Sequence, residues 1–145
     1  MSPRDAAIPQ RGECAVLENL PVILVVEDDP LIQGIVAEAM AAGGFEIVIA
    51  SSGEQAIEFL SSSEEKFRAL VTDINLGRNK FSGWEVARRA REINPDFPVV
   101  YMSGDSAEDW NSKGVPHSIM LGKPFAPAQL VTAVSQLLNG GTPAN

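Results

Sequence analysis

The chain reads VILVVEDDP from Val22 to Pro30, and this stretch decides the fold. Five apolar residues, most of them β-branched, run directly into the acidic pair Glu27 and Asp28. A short, continuously apolar run of this kind is typical of a strand that is buried on both faces of a parallel sheet. Pro30 then stands where the first turn of a helix tolerates proline. The stretch therefore predicts a strand that ends on carboxylates and leads into a helix.

Three further apolar runs end in polar residues in the same way. Asp73 ends the run from Ala69, Ser103 follows Val99–Met102, and Lys123 comes shortly after Ser118–Leu121. Ligands of an open α/β sheet bind outside the carboxyl ends of its strands, so these polar side chains are expected in one crevice. Converging carboxylates repel unless a cation lies between them, and hard oxygen ligands suit Mg²⁺. The pattern predicts a site that puts a phosphoryl group on a carboxylate.

Strands alternate with helices along the rest of the chain. Capping boxes of Ser52 with Gln55 and of Ser82 with Glu85 predict two helix starts. The predicted strands are 22–26, 45–50, 69–73, 98–102 and 118–121, and the helices begin near 30, 52, 82, 107 and 127, the last ending at 138. Parallel crossovers are right-handed and place helices on both faces, which predicts a doubly wound α/β sheet.

Length and charge restrict the classes of function. The 145 residues suit one α/β domain at 21–139, with a flexible arm at 1–20 and a short tail at 140–145. A formal net charge of −8 argues against nucleic-acid binding, which needs clustered Lys and Arg. The single cysteine, Cys14, permits no internal disulfide, and no apolar stretch approaches the roughly 20 residues of a membrane span. A cytoplasmic protein without a membrane partner is expected.

Several short strings together carry a resemblance to a known family. They are Val25–Pro30, Asp73 after an apolar strand, Ser103-Gly104 and Lys123-Pro124-Phe125. In this order and at these strand ends, the chain resembles the receiver domain of bacterial two-component response regulators over roughly residues 21 to 138. The resemblance implies a flavodoxin-like sheet of strand order 2-1-3-4-5 with five helices. It also implies a phosphoacceptor that assists only its own phosphorylation and dephosphorylation, not an enzyme.

The resemblance also assigns roles to residues. Asp73 would be the phosphoacceptor, and the metal would be Mg²⁺, held by Asp73, by Asp28 directly, by Glu27 through water and by the backbone carbonyl of Asn75. A turn or helix-capping aspartate is the alternative for Asp73, and Asp29 is expected to cap the following helix.

Two further roles follow from the family. The Ser103 hydroxyl would turn to the phosphoryl group, with a strand-end turn serine as its alternative. Lys123 would pair with Asp73 before phosphorylation and with phosphate afterwards, preceding a cis peptide bond to Pro124.

The chain departs from the family pattern at three positions. Gly77 stands where the family commonly has proline, and Gly83 opens its helix ten residues after Asp73 instead of eight. Met120 replaces the usual aromatic switch. Phosphorylation is therefore expected to act mainly on the loops after the third and fourth strands and on the short, polar, weakly packed helix at 107–113.

The function predicted from these residues is that of a stand-alone receiver. It would accept a phosphoryl group from a sensor histidine kinase or histidine phosphotransfer protein and signal by protein contacts, with a homodimer possible, or by onward phosphotransfer. A phosphatase of haloacid-dehalogenase type is an alternative, although it needs a carboxylate at position 75, where this chain has asparagine. A non-phosphorylated pseudo-receiver is the other alternative, although no acidic or basic site member is missing.

Overall fold

The computed structural model describes residues 20–62, 67–77, 81–105 and 107–140. They form five strands, β1 Val22–Val26, β2 Glu46–Ala50, β3 Ala69–Asp73, β4 Val99–Ser103 and β5 Ser118–Gly122. The helices are α1 Pro30–Ala42, α2 Gly53–Ser61, α3 Gly83–Ile93, α4 Trp110–Lys113 with a preceding 3₁₀ turn at Ala107–Asp109, and α5 Pro127–Gly140. None of these helices is long and apolar enough to cross a bilayer. The expected arm, apart from Leu20, and residues 141–145 of the expected tail lie outside the described residues.

The five strands pair in the order β2-β1-β3-β4-β5, and every pairing is parallel. The doubly wound, flavodoxin-like sheet predicted from the sequence is confirmed. Strand ends differ from the prediction by one residue. Phe45 still closes the end of α1, since its N–H donates to the Met40 carbonyl, so β2 starts at Glu46. Ser103 pairs with Gly122 and belongs to β4.

The core has two layers, one on each face of the sheet. Helices α2 and α3 pack on one face, where Leu24, Leu70 and Tyr101 are buried, and α1 and α5 pack on the other, where Val25 and Met102 are buried. Successive residues of a strand point to opposite faces, so a strand inside a two-layer core is apolar throughout. That is why the decisive runs show no alternation.

The N-terminal ends of α2 and α3 show whether the two predicted capping boxes form. Ser82 Oγ accepts from the Glu85 N–H, and the Glu85 carboxylate accepts from the Ser82 N–H at 2.9 Å, which completes the predicted box. At α2, Ser52 Oγ accepts from the Gln55 N–H at 3.1 Å, but Gln55 Oε1 accepts from Ser51 at 2.7 Å. The reciprocal bond is therefore displaced by one residue, so the prediction for α2 is only half right.

Candidate functional site

Three carboxylates meet at the carboxyl ends of β1 and β3, which are neighbours in the sheet. One oxygen from each of Glu27, Asp28 and Asp73 lies within 4.8 Å of the other two. Glu27 and Asp73 are buried, with exposed fractions of 1% and 7%, whereas Asp28 is exposed. The structure thus brings together the three side chains that strand-end placement puts in one crevice.

A single ammonium group bridges the two buried carboxylates. Lys123 Nζ lies 3.2 Å from Glu27 Oε1 and 3.2 Å from Asp73 Oδ2. The Lys123 N–H donates to the Ser103 carbonyl at 2.6 Å, and the peptide bond to Pro124 is cis. From the loop after β5, the Lys123 side chain thus reaches across the end of the sheet to residues that follow or end β1 and β3.

The ionisation of these groups follows from burial and pairing. Burial raises the pKa of Glu27, and the nearby Asp73 carboxylate raises it further. The hydrogen bond from the Asp29 N–H and the Lys123 ammonium both lower that pKa, which stays raised on balance. Burial likewise raises the pKa of Asp73, although Lys123 opposes the shift. Burial alone would lower the pKa of Lys123, but the Asp73 and Glu27 carboxylates raise it on balance. Desolvation is thus a larger cause of the raised carboxylate pKa values than like-charge repulsion.

Hydrogen bonds hold Glu27 on every side. Its Oε2 accepts from the Asp29 N–H at 3.0 Å, and its own N–H donates to the Ala50 carbonyl at 3.0 Å. Gln33 of α1 donates from Nε2 to the Glu27 carbonyl at 2.6 Å. Asp29 Oδ1 accepts from Leu31 and caps α1, as predicted. Both Glu27 and the turn into α1 are therefore held by hydrogen bonds within the protein itself.

The donor set fits a small hard cation. Asp28 is exposed, so waters can complete a coordination shell, as Mg²⁺ usually requires. Asn75 follows Asp73 by two residues, and its Oδ1 accepts from the Gly77 N–H at 3.1 Å. The backbone carbonyl of Asn75 takes no part in that hydrogen bond. Gly77 has φ of 69°, and a Cβ there would lie 3.2 Å from Asp28 Oδ2. A left-handed glycine therefore lets the loop backbone approach the exposed carboxylate closely.

The remaining predicted member, Ser103, ends the strand beside β3. It is buried, and its Oγ accepts from the Asp105 N–H at 3.2 Å. Met120 is partly buried against the core cluster on the α2 and α3 face, so the position of the usual aromatic switch lies inside the packed layer.

The loop after Asp73 is closed by a glycine. The Gly83 N–H donates to the Ile74 carbonyl at 2.9 Å, and a Cβ at Gly83 would clash with the Asp73 carbonyl and Ile74 Cα. The position ten residues after Asp73 thus brings the start of α3 against the backbone of β3. Residues 78–80 of this loop lie outside the described part of the chain.

Two residues near the site were missed by sequence reasoning. Gln33 contacts the Glu27 carbonyl, and its signal was its place in the second turn of the helix after the acidic pair. Tyr101 is fully buried two residues before Ser103, and its hydroxyl accepts from the Val115 N–H at 3.0 Å. For Tyr101, the signal in the sequence was an aromatic residue with a polar hydroxyl in a buried strand.

Comparison with known proteins bears on this arrangement. Residues 23–135 match the family described as the response regulator receiver domain. The chain belongs to the response regulator receiver family. This receiver domain is 33% identical over 118 residues to the response regulator receiver protein CpdR of Brucella abortus, covering 80% of the chain and 95% of CpdR. Several other curated relatives are longer, and the chain spans about half of their length or less.

Solved structures show the same relationship. A response regulator receiver protein from Sinorhizobium medicae WSM419 superposes with a TM-score of 0.80 at 45% identity, over 84% of this chain and 97% of that one. The receiver domain of sensor histidine kinase PA1611 from Pseudomonas aeruginosa PAO1 has a TM-score of 0.69 at 20% identity, over 82% and 98% of the two chains. That structure is described with a magnesium ion coordinated in its active-site cleft. At this identity the likeness shows the shared fold.

Proposed function

We propose that this receiver domain accepts a phosphoryl group on Asp73 from a phosphohistidine of a sensor histidine kinase or histidine phosphotransfer protein. The observation that carries the proposal is the placement of Asp73, whose Oδ2 is 3.2 Å from the Lys123 ammonium and whose carboxylate lies within 4.8 Å of those of Glu27 and Asp28. A carboxylate becomes a phosphoryl acceptor where charge on the incoming oxygens is neutralised. Lys123 supplies one positive charge here, and the three carboxylates could hold a cation that would supply more.

The transfer is a displacement at phosphorus. An Asp73 carboxylate oxygen forms the new bond to phosphorus, and the bond to the donor histidine nitrogen breaks, leaving its electron pair on the imidazole. Lys123 moves its hydrogen bond from the Asp73 carboxylate to a phosphoryl oxygen, while its pairing with Glu27 keeps it in the site. The hydroxyl of Ser103, at the end of the neighbouring strand, donates a hydrogen bond to a second phosphoryl oxygen.

Mg²⁺ is the cation proposed for the site. Asp28, Asp73 and the Asn75 carbonyl would hold it, with Glu27 acting through water. A bound Mg²⁺ supplies positive charge to the phosphoryl oxygens during transfer. The all-oxygen donor set with one exposed carboxylate supports this choice, as does the magnesium ion described for the PA1611 receiver.

A groove next to the site supports docking of a protein donor. It has a volume of about 310 Å³ and is lined by Ile32 and Ile35 of α1 together with Lys123, Pro124 and Phe125. Its apolar walls lead to the residue that contacts the phosphoacceptor, so a protein seated there would present its histidine to Asp73. We place this exchange in the cytoplasm, and the expected homodimer stays a prediction.

The alternative of a haloacid-dehalogenase-type phosphatase gains no support from position 75. Asn75 carries an amide whose oxygen already accepts from Gly77, whereas that chemistry requires an acid there. The aspartyl phosphate is therefore expected to persist as a signal that is read by protein contacts or passed on. A pseudo-receiver would lack a site member, and Glu27, Asp28, Asp73 and Lys123 are all assembled.

Acetyl phosphate with Mg²⁺ tests the proposal without a partner protein. Intact-mass spectrometry is expected to show the gain of one phosphoryl group in wild type and no gain in Asp73→Asn. Asp29→Asn is the matched control, because Asp29 caps α1 from the same acidic run and is expected to leave labelling intact. Equal labelling of Asp73→Asn, or labelling that is unaffected by removal of Mg²⁺, would overturn the assignment.

A further inference from the structure

The buried aromatic side chain near the switch position belongs to β4. Tyr101 is fully buried, and its Cα pairs in register with Met120 of β5. Both side chains lie on the sheet face covered by α2 and α3. The ring of Tyr101 packs 4.9 Å from that of Trp84 with an interplanar angle of 56°. An aromatic group is therefore present beside position 120, one strand closer to the phosphoacceptor.

A chain of hydrogen bonds runs from this ring to α4. The Tyr101 hydroxyl accepts from the Val115 N–H at 3.0 Å, and Ser118 Oγ donates to the Val115 carbonyl at 2.7 Å. Ser118 Oγ also accepts from Trp110 Nε1 at 2.9 Å. We call Tyr101, Val115, Ser118 and Trp110 the clasp.

The clasp changes the picture of the segment before β5. Val115 and Ser118 are buried, and a Cβ at Gly114 would clash with the Trp110 side chain, so the turn that follows α4 is tightly packed. The helix itself is weakly packed, as expected, since Asn111, Ser112 and Lys113 are exposed and Trp110 is only partly buried.

Both approaches to the clasp lead back to the phosphorylation site. Ser103 follows Tyr101 by two residues on the same strand face, and its Oγ holds the Asp105 N–H at the start of the segment. Trp84, whose ring packs at a tilt against that of Tyr101, follows Gly83, whose backbone packs against the Asp73 carbonyl. Ser103 thus holds Asp105 at one end of this region, and the clasp holds the stretch from Trp110 to Ser118 at the other.

We propose that the clasp holds α4 in its unphosphorylated position and that phosphorylation releases it by breaking the bond between the Tyr101 hydroxyl and the Val115 N–H. This inference rests on the proposed function. Movement of Ser103 toward a phosphoryl group shifts the end of β4 and the loop that leads to Trp110. A ligand shifts the equilibrium between two states only if it interacts differently with each of them. Removing a contact that is made in only one state favours the other state. Tyr101 is a positioning residue here, since it does not touch the reacting atoms.

Tyr101→Phe tests the clasp by removing one hydroxyl. In protein without a phosphoryl mimic, amide hydrogen exchange over Gly104–Ser118 is expected to become faster than in wild type. By linkage, beryllofluoride with Mg²⁺ is expected to bind Tyr101→Phe at least about fivefold more tightly than it binds wild type. A change of this size lies within the usual range of coupling between two sites. Ser118→Ala, which cuts the chain at its next link, is expected to act in the same direction.

Val134→Ala is the matched control. Val134 is fully buried in the layer of α1 and α5, so its truncation destabilises the domain without touching the clasp, and beryllofluoride affinity is expected to stay at the wild-type value. Wild-type affinity in both Tyr101→Phe and Ser118→Ala, with unchanged exchange over Gly104–Ser118, overturns the inference alone. Absence of beryllofluoride binding to wild type overturns the proposed function and the inference with it.

Discussion

Lys123 is the one cation seen between two buried carboxylates within the described part of the chain, and this sets the charge state of the site. Glu27 and Asp73 share its ammonium at 3.2 Å each, while the exposed carboxylate of Asp28 adds a third negative charge. Three carboxylates thus face one ammonium group, so with all four groups ionised the site carries excess negative charge.

Asp73→Asn is expected to stabilise the metal-free protein at pH 7. Burial raises the folded-state pKa of Asp73 above its ordinary value of 3.8, so the ionised group disfavours folding at pH values above the raised pKa. As pH falls through that raised pKa to below 3.8, the group is protonated in both states and the advantage of the variant disappears. Thermal melts of both proteins across this range check the sign.

Asp96→Asn is the control for this prediction. Asp96 is an exposed aspartate in the turn before β4, far from the carboxyl ends of the strands, and its replacement is expected to change the melting temperature little at any pH. A metal-free Asp73→Asn that melts below wild type at pH 7 would contradict the account of the site.

Mg²⁺ at millimolar concentration is expected to raise the melting temperature of wild type. A cation that binds only the folded state stabilises it by mass action, and here it also offsets the excess negative charge. Asp28→Ala is expected to lose this response. Asp29→Ala is expected to keep it, although loss of the α1 cap lowers stability by about 0.5–2 kcal/mol. An equal response in Asp28→Ala, or none in wild type, would show that the metal is held elsewhere.

Part of the site follows from sequence and part depends on register. Strand-end position predicts that Glu27, Asp28 and Asp73 meet, because parallel strands end at one edge. The bond from Lys123 to Glu27 joins residues 96 positions apart, and that from Val115 to Tyr101 joins residues 14 apart. Such pairs depend on how two strands and a loop are aligned, which a linear pattern does not encode.

At the scale of elements, the start of α3 shows how closely the backbone packs against the end of β3. Gly83→Ala would place a methyl group against the Asp73 carbonyl and Ile74 Cα, where backbone must move to accept it. Forcing a methyl into a packed site costs about 1–3 kcal/mol. We therefore expect Gly83→Ala to lower the unfolding free energy by this amount in denaturant titrations and to slow labelling by acetyl phosphate.

Gly34→Ala, at a second helical glycine, is expected to raise the unfolding free energy instead of lowering it. Gly34 is exposed in α1, and a Cβ there would meet nothing within 4 Å. Alanine is the better helix former by roughly 0.5–1 kcal/mol, so this variant should be more stable than wild type with normal labelling. Similar stability changes in the two variants would mean that Gly83 does not pack against β3 as described.

The elements themselves were largely predictable because each has a local cause. Apolar runs mark strands buried on both faces, and Ser82 with Glu85 marks a helix start through bonds three residues apart. The misses also have local causes. Gln55 accepts from the Ser51 N–H, one residue before the Ser52 N–H that a capping box would use, and the indole of Trp110 ties an otherwise exposed helix to Ser118 of β5.

At the scale of the whole molecule, the two layers present different apolar surfaces to a donor. Ile35 of α1 is 43% exposed beside the groove at Phe125, and Ile93 of α3 is 52% exposed on the other layer. With a histidine kinase that phosphorylates wild type, Ile35→Ser is expected to slow transfer about tenfold, equivalent to 1.4 kcal/mol of docking energy. Phosphorylation by acetyl phosphate should be unchanged.

Ile93→Ser is the matched control for donor docking. It removes a similarly exposed isoleucine from the layer opposite to the groove and is expected to leave kinase-dependent transfer at the wild-type rate. If Ile93→Ser slows transfer and Ile35→Ser does not, the donor docks on the α2 and α3 layer and the groove has another use.

The central claim is that the covalent bond to phosphorus forms at Asp73. Borohydride reduces an acyl phosphate to an alcohol, which converts the phosphorylated aspartate to homoserine at the position where the bond formed. Wild type treated with acetyl phosphate and Mg²⁺, reduced and digested, is predicted to carry homoserine at position 73 in the peptide that spans β3. Homoserine at position 28 or 29, or phosphorylated protein that yields no homoserine at position 73, would contradict the account.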